Sequence, residues 1–290
     1  MTISILRRAI IFLVALIVLS SCTALSEAAP EPYPESVWIP TNSSSQRGVA
    51  VIVPGLNVCP HGMRELAAWF NEQGFDVLTV PLVGQSSKED NQIELSTDLW
   101  IGQIAATYSR ARSQAKDGMV VAVGYSLGAA LLVDLLNNSP EIHFDRIVML
   151  APAVSLTCIS TLARLLLPLR HLGVSLPSMS PERLRCSGWT TLQSYSALFE
   201  AVDRADGVTN QSTLRTTPLL IAMSRDDELV SFQGVERWKL ANKLTRANLI
   251  ALLPVAQSSD SFAHTIIDSQ GLGVAEWREL MGAMERFLAE

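Results

Sequence analysis

The sequence has few features of a nucleic-acid-binding or metal-binding protein. It contains 22 lysines and arginines against 28 aspartates and glutamates, with no basic run. Since binding to a phosphate backbone depends on clustered positive charge, we expect no nucleic acid partner. There are four histidines and four cysteines, which form no Cys-x-x-Cys motif and no Cys/His cluster at metal-ligand spacing. We therefore expect neither a metal nor another cofactor.

Long apolar runs are scarce as well. The stretch Ala9–Leu19 is continuously apolar, but it is shorter than the ~20 residues that a transmembrane helix needs. Arg7 and Arg8 precede it and small residues follow it, a pattern typical of an export signal. Residues 1–21 are therefore predicted to be a signal peptide.

The end of this signal, Leu19-Ser20-Ser21-Cys22, resembles a bacterial lipobox. The resemblance implies that Cys22 becomes the acylated first residue and holds the protein at a membrane. It also implies a location in the bacterial cell envelope, on the periplasmic or extracellular face. Residues 22–45, rich in proline, serine and alanine, are predicted to be a flexible tether. The alternative is an ordinary secretory signal with an incidental cysteine.

Three cysteines remain after Cys22, namely Cys59, Cys158 and Cys186. Outside the cytoplasm a disulfide is permitted. We predict that Cys158 pairs with Cys186, and the alternative is that these cysteines are buried unpaired thiols.

Short apolar runs rich in β-branched residues alternate with longer amphipathic stretches over residues 46–290. Runs that are continuously apolar are typical of a parallel sheet with helices on both faces, so we predict an α/β fold. The predicted strands are Gly48–Val53, Phe75–Val80, Met119–Val123, Arg146–Leu150, Pro218–Met223 and Asn248–Leu253. The predicted helices are Met63–Gln73, Ser96–Ala115, Leu127–Leu136 and Val274–Leu288.

The interval 155–216 breaks this alternation. It contains two predicted helices, Ile159–His171 and Thr190–Ala205, and no predicted strand. The first helix has too many leucines for a narrow core-facing stripe. We interpret the interval as a small helical cap inserted over the C-terminal edge of the sheet. A tightly packed helical insert without a ligand role is the alternative.

The pentapeptide Gly124–Gly128 (Gly-Tyr-Ser-Leu-Gly) carries the most chemical information. It follows a predicted strand and opens a predicted helix, the context in which Gly-x-Ser-x-Gly forms a sharp turn with an exposed serine hydroxyl. Such a turn strains the serine backbone, and the flanking glycines avoid collisions with neighbouring backbone. Ser126 is therefore the predicted nucleophile.

A serine hydroxyl needs a general base, and the base needs an acid to orient it. Among the histidines, His264 follows the last predicted strand and is the expected base. The acid should lie between the nucleophile and the histidine. Asp226, Asp227 and Glu228 directly follow a predicted strand, and their position alone does not select one of them.

Backbone N–H groups should bind the negative charge that develops on the substrate oxygen. The N–H of Leu127 at the start of the helix is one predicted donor. The other is the N–H of Leu56, in the turn after the first predicted strand. A plain strand-ending turn is the alternative for the second position.

Together these motifs resemble the monoacylglycerol lipase and serine aminopeptidase-like branch of the α/β-hydrolases, from about residue 47 to the end. Residues 51–56 (Val-Ile-Val-Pro-Gly-Leu) resemble the family's strand that ends in His-Gly, and residues 124–129 match its nucleophile elbow. Residues 149–153 resemble the strand that leads into the cap, and residues 217–230 resemble the strand and acid loop. In that pattern the acid lies three residues before a valine, which selects Asp227.

The resemblance implies a serine hydrolase that cleaves a carboxylic ester of an apolar acyl group or lipid through an acyl-enzyme. Ser126 would attack, His264 would transfer the proton, and Asp227 would orient the imidazole. Two alternatives are an acyltransferase with the same residues and a non-catalytic envelope lipoprotein that uses the fold for binding.

Two positions depart from the family pattern. Pro54 replaces the histidine that usually precedes the oxyanion glycine, so the hydrogen bonds that support the oxyanion hole must differ. Residues 82–86 (Leu-Val-Gly-Gln-Ser) stand where an Arg-Gly-His-Gly-x-Ser type of loop is common. Both departures leave the predicted nucleophile, base and acid intact, and they bear on the choice of substrate.

Overall fold

A computed structural model describes residues 36–43, 46–85, 95–253 and 262–290. The predicted signal peptide, Cys22 and most of the predicted tether lie outside the described residues. The strands are β1 (Val37–Ile39), β2 (Gly48–Val53), β3 (Phe75–Thr79), β4 (Met119–Tyr125), β5 (Arg146–Leu150), β6 (Ser175–Pro177), β7 (Trp189–Thr191), β8 (Leu219–Ser224) and β9 (Ala247–Leu252). The α-helices are α1 (Arg64–Glu72), α2 (Thr97–Ala115), α3 (Leu127–Asn138), α4 (Cys158–Thr161), α5 (Leu192–Arg204), α6 (Phe232–Ala241), α7 (Ser269–Leu272) and α8 (Val274–Ala289). Short 3-10 helices lie at Pro60–Met63, Leu162–Leu172 and Thr213–Arg215.

Seven strands form the central sheet in the order β1-β3-β2-β4-β5-β8-β9. All neighbouring strands are parallel except β1, which is antiparallel to β3. Every residue of β2, β3 and β8 is buried. Because successive side chains of a strand point to opposite faces, both faces of the sheet must be covered. The predicted α/β fold is confirmed.

Side-chain caps determine where several of the helices begin. The Ser96 hydroxyl accepts a hydrogen bond from the Leu99 N–H at the start of α2 (3.2 Å), and the Ser231 hydroxyl accepts one from the Gly234 N–H in α6 (3.1 Å). Each bond satisfies a backbone donor that has no partner inside the helix. None of the helices within the described ranges is long and apolar enough to cross a membrane.

Strand β1 lies within residues 22–45, which were predicted to be a flexible tether, and so corrects that prediction. Residues Val37–Ile39 pair with Val77–Thr79 of β3, although the sequence assigned them to a flexible segment. The strand has three residues, lies at the edge of the sheet and is only partly buried. So short and exposed a segment has no apolar periodicity from which a strand could be predicted.

The cap also differs from its prediction. Strands β6 and β7 form a separate two-stranded antiparallel sheet, so the prediction of no strand between residues 155 and 216 is wrong. Each strand has three residues and pairs only with the other. The first predicted helix is mostly a 3-10 helix, Leu162–Leu172, and it contains Pro168, which lacks the N–H that an α-helix would use.

The disulfide of the structure joins Cys59 to Cys186, so the predicted Cys158–Cys186 pair is wrong. Cys158 is an exposed free thiol, which also contradicts a buried one. An antiparallel bridge between Val58 and Arg185 brings the two bonded cysteines side by side. The bond spans 127 residues of sequence, and no local pattern reports such a contact.

We expect a protein that begins at residue 23 to contain one free thiol and one disulfide. Unfolded without reductant, it should react with one equivalent of a thiol reagent, and after reduction with three. Mass spectrometry of the unreduced digest should recover a linked peptide pair that contains Cys59 and Cys186. A linked pair that contains Cys158 would contradict the structure.

Candidate active site

Ser126 forms the turn between β4 and α3 at the C-terminal edge of the sheet. Its backbone has φ 51° and ψ −114°, in a region that residues other than glycine rarely adopt. The Ser126 N–H donates a hydrogen bond to the Leu150 carbonyl (2.9 Å), and the Ser126 carbonyl accepts one from the Ala153 N–H (3.1 Å). Backbone bonds on both sides therefore hold the strained residue in place.

The two glycines that flank this turn are required by close packing. A Cβ at Gly124 would lie 2.6 Å from the Cα of Ala129, and a Cβ at Gly128 would lie 2.2 Å from the Val53 carbonyl oxygen. Real Cβ atoms do not approach other heavy atoms so closely. The first turn of α3 can therefore rest on the end of β2 only if glycine occupies both positions.

Three side chains are hydrogen-bonded in series at this turn. The Ser126 Oγ lies 2.9 Å from Nε2 of His264, and Nδ1 of His264 lies 2.8 Å from Oδ2 of Asp227. The side chain of Asp227 is fully buried and that of His264 is 8% exposed. With the imidazole proton on Nδ1, His264 donates to the carboxylate and can accept the serine proton.

One of the three candidate acids, Asp227, is hydrogen-bonded to His264. Oδ1 of Asp227 accepts hydrogen bonds from the N–H groups of Leu229 (2.9 Å) and Val230 (2.8 Å), which leaves Oδ2 for the histidine. Asp226 and Glu228 are exposed, and Glu228 accepts instead from the Ala263 N–H. Two backbone donors therefore orient the Asp227 carboxylate toward the histidine.

The side chains of Tyr125 and Arg183 support the loop that carries His264, and the sequence did not predict this role for either of them. The Tyr125 hydroxyl donates to the His264 carbonyl (3.2 Å), and burial raises the pKa of Tyr125 far above its usual value, so it stays a neutral donor. Asp268 accepts two hydrogen bonds from the Arg183 guanidinium of the cap (2.8 and 2.9 Å). Tyr125 lies inside the serine motif, but no sequence pattern links Arg183 to Asp268.

The residues of both predicted oxyanion donors lie close to the nucleophile. A Cβ at Gly55 would lie 3.3 Å from Cβ of Ser126, so the turn that contains Leu56 packs directly against the serine. Leu127 is the first residue of α3. Within the described part of the chain, neither the Leu56 N–H nor the Leu127 N–H donates to a backbone carbonyl of a turn, loop or cap, as a donor for a substrate oxygen would require.

The residues that the structure describes contain no cluster of potential metal ligands. Over the described ranges, no group of three or more histidine, cysteine, aspartate or glutamate side chains could hold a metal ion. The polar groups around Ser126 are instead an imidazole, a carboxylate and backbone N–H groups. These are the groups that acyl transfer to a serine needs.

The sequence matches the family described as serine aminopeptidase, S33, over residues 44–251. The chain belongs to this family. A comparison with curated protein sequences gives no match.

Solved structures similar to this S33 family member share its fold at low sequence identity. The soluble variant of monoglyceride lipase from Saccharomyces cerevisiae, solved with a substrate analogue, has a TM-score of 0.71 and 12% identity over 92% of this chain and 96% of its own. A structure reported for LipS and LipT, two metagenome-derived lipolytic enzymes, has a TM-score of 0.66 and 19% identity over 87% and 97%. The monoacylglycerol lipase of Paleococcus ferrophilus has a TM-score of 0.58 and 16% identity over 75% and 87%.

Replacing Gly128 by alanine should destabilise this S33 family member. The new Cβ would collide with the Val53 carbonyl, and overpacking of this kind costs about 1–3 kcal/mol or more in the free energy of unfolding. Thermal denaturation followed by circular dichroism would measure the change.

Gly102→Ala is the matched control, because Gly102 lies on the exposed side of α2 with no atom within 4 Å of the added Cβ. This variant should be more stable than the wild type by about 0.4–1 kcal/mol. Equal melting temperatures for Gly128→Ala and the wild type would contradict the packing of α3 on β2.

Proposed function

We propose that this protein is a serine hydrolase that cleaves a carboxylic ester of an apolar acyl group through an acyl-enzyme. The observation that carries the proposal is the hydrogen-bonded series from the Ser126 Oγ through His264 to Asp227. The fold and the S33 family membership are consistent with it. The names of the similar structures, which include lipases, point to the same substrate class.

Acylation begins when the Ser126 Oγ attacks the acyl carbon while its proton passes to Nε2 of His264. The carbonyl oxygen of the substrate becomes an oxyanion that accepts hydrogen bonds from the N–H groups of Leu56 and Leu127. Each such donor contributes about 3 kcal/mol to the stability of the transition state. Nε2 then gives its proton to the leaving alkoxide, the ester bond breaks, and the acyl group stays on the serine.

Deacylation repeats these steps with water. His264 accepts a proton from the water while the oxygen attacks the acyl carbon, and Nε2 later returns the proton to the Ser126 Oγ as the carboxylic acid departs. Asp227 keeps the imidazole in one tautomer and stabilises the imidazolium that forms in both half-reactions. Its burial strengthens this electrostatic interaction, because little water screens it.

Exposed apolar side chains of the cap support an apolar substrate. Four leucines of the 3-10 helix Leu162–Leu172 and one tryptophan of β7 are exposed, although large apolar side chains are usually buried. They are Leu162 (57% exposed), Leu165 (76%), Leu169 (37%), Leu172 (73%) and Trp189 (60%). Exposed apolar side chains of this kind favour contact with substrates that partition into a lipid phase.

The first test is hydrolysis of p-nitrophenyl esters of increasing acyl length by the protein that begins at residue 23. We expect turnover that rises with acyl length and is lost in Ser126→Ala. Asp227→Asn should lower kcat by about 10⁴-fold, because the imidazole would lose its orienting charge. Asp226→Asn, a matched change one residue away at an exposed position, should keep the wild-type kcat.

Two results of this test would contradict parts of the proposal. No turnover at any acyl length, together with no labelling of Ser126 by a fluorophosphonate, would contradict the proposal. The protein would then be a binding module on a hydrolase fold. Equal losses in Asp226→Asn and Asp227→Asn would contradict the assignment of the acid while leaving the nucleophile intact.

The proposal includes a location in the cell envelope, with Cys22 acylated and anchored in a membrane. Disulfides persist mainly outside the cytoplasm, so the bond between Cys59 and Cys186 is consistent with export. The exposed leucines of the cap are consistent with work close to a lipid surface. Cys22 itself lies outside the described residues, so this part of the proposal depends on the sequence motif.

Metabolic labelling with an alkyne analogue of palmitate tests the anchor. The full-length protein, expressed in a bacterium, should incorporate the label and sediment with membranes. Cys22→Ser should lose the label, because the acceptor thiol is missing. Cys158→Ser removes a different thiol, which is free and exposed in the structure, and should keep the label. A labelled Cys22→Ser protein would contradict the anchor.

A further inference from the structure

The turn that contains the predicted oxyanion donor Leu56 is joined to one segment of the cap, residues 178–190, which we call the cap strap. The disulfide between Cys59 and Cys186 is the covalent part of this junction. Backbone hydrogen bonds run beside it, from the Cys186 N–H to the Asn57 carbonyl (3.2 Å) and from the Cys59 N–H to the Leu184 carbonyl (3.0 Å). The two segments therefore form a paired structure rather than a loose contact.

Asn57 is the polar centre of the junction. Its side chain is buried, and its backbone has a φ of 55°, which asparagine adopts more readily than most residues. Among the residues that the structure describes, its amide bonds only the cap strap: Nδ2 donates to Ser178 Oγ (2.8 Å), the Ser187 carbonyl (2.7 Å) and Thr190 Oγ1 (3.2 Å), and Oδ1 accepts from the Ser187 N–H (3.0 Å).

The cap strap also constrains the peptide plane that carries the Leu56 N–H. This plane contains the Gly55 carbonyl, which accepts a hydrogen bond from the Val58 N–H (3.2 Å). Since a trans peptide is planar, fixing its carbonyl oxygen also fixes the opposite direction of its N–H. Val58 is in turn bridged to Arg185 of the cap strap.

A second contact holds the other side of the same residue. The Ser180 hydroxyl of the cap strap donates to the Leu56 carbonyl (3.1 Å). Leu56 is thus held on its C-terminal side by Ser180 and on its N-terminal side through Gly55. The family's usual histidine before the oxyanion glycine is Pro54 here, and a proline side chain has no hydrogen-bonding group with which to support the turn.

We propose that the cap strap positions the Leu56 N–H as an oxyanion donor, with Asn57 as the central positioning residue. This inference rests on the proposed ester hydrolysis and deepens it. The cap is then part of the catalytic machinery in addition to covering it. Loss of the Asn57 amide should misdirect a donor that acts only on the transition state, so kcat should fall more than KM changes.

Asn57→Gly is the variant that tests this, because glycine tolerates the φ of 55° while lacking the amide. We expect kcat per active site to fall by about 10- to 100-fold, a large part of what one oxyanion donor contributes. Active sites are counted from the burst of p-nitrophenol, so unfolded protein does not enter kcat. KM should change by less than about threefold.

The Ki of a trifluoromethyl ketone inhibitor distinguishes a positioning role of Asn57 from a merely structural one. The Ser126 Oγ adds to the ketone carbon, its proton passes to His264, and the ketone oxygen becomes an oxyanion held like that of the transition state. The Ki of this inhibitor should therefore rise by the same factor by which kcat/KM falls. Ser180→Ala, which removes one hydrogen bond to the Leu56 carbonyl, should show the same coupled change at about fivefold.

Thr97→Val is the matched control. The Thr97 hydroxyl is buried and bonds the cap helix α5 at the Ala197 carbonyl (3.0 Å) and the Glu200 carboxylate (2.8 Å), away from the oxyanion turn. It should keep the wild-type kcat per active site and Ki. The positioning role would be overturned if Asn57→Gly and Ser180→Ala kept the wild-type kcat per active site and the wild-type Ki. It would also be overturned if these variants lost active sites while the remaining sites kept the wild-type kcat. A wild type without Ser126-dependent turnover would instead overturn the proposed function.

Discussion

The contact between the first turn of α3 and the end of β2 determines the geometry of the active site. Gly128 rests on the Val53 carbonyl so closely that no side chain fits between them. With α3 in that position, the chain can pass from β4 into the helix only through a sharp turn, and Ser126 takes a φ of 51°. The strain is offset by the packing of the helix and sheet around it. The serine oxygen consequently lies at the edge of the sheet, beside the N–H groups that begin the helix.

The order of the strands then brings the other two side chains to the same edge. Strand β8 lies next to β5, which lies next to β4, and all three are parallel, so their C-terminal ends share one side of the sheet. Asp227 follows β8 and is oriented by two backbone N–H groups. The loop with His264 returns from β9 and is held by the Tyr125 hydroxyl. Hydrogen bonds with backbone groups thus position the acid and the loop of the base.

The cap strap joins this arrangement at two separate points. Arg183 forms an ion pair with the nearly buried Asp268, four residues after His264, while Asn57 and the Cys59–Cys186 disulfide join the cap to the turn before α1. Both points belong to one continuous segment of the cap, so the loops of the base and of the proposed oxyanion donor are connected through it. The cap strap thus contacts both loops, through an ion pair at one and through hydrogen bonds and a disulfide at the other.

The sequence alone determined the features that depend on local pattern. Continuous apolar runs predicted six of the strands of the central sheet to within a residue or two. The Gly-x-Ser-x-Gly turn and the position of His264 predicted the nucleophile and the base. The acidic turn after β8 left three candidates for the acid, and the family resemblance favoured Asp227. Tertiary structure decided everything that depends on contacts between distant segments. The partner of Cys186, the pairing of the three-residue strands β1, β6 and β7, and the bonds of Asn57 and Arg183 are of this kind. A periodic pattern reports burial along one element, whereas these contacts join segments whose relative positions exist only after the sheet and the cap have packed together.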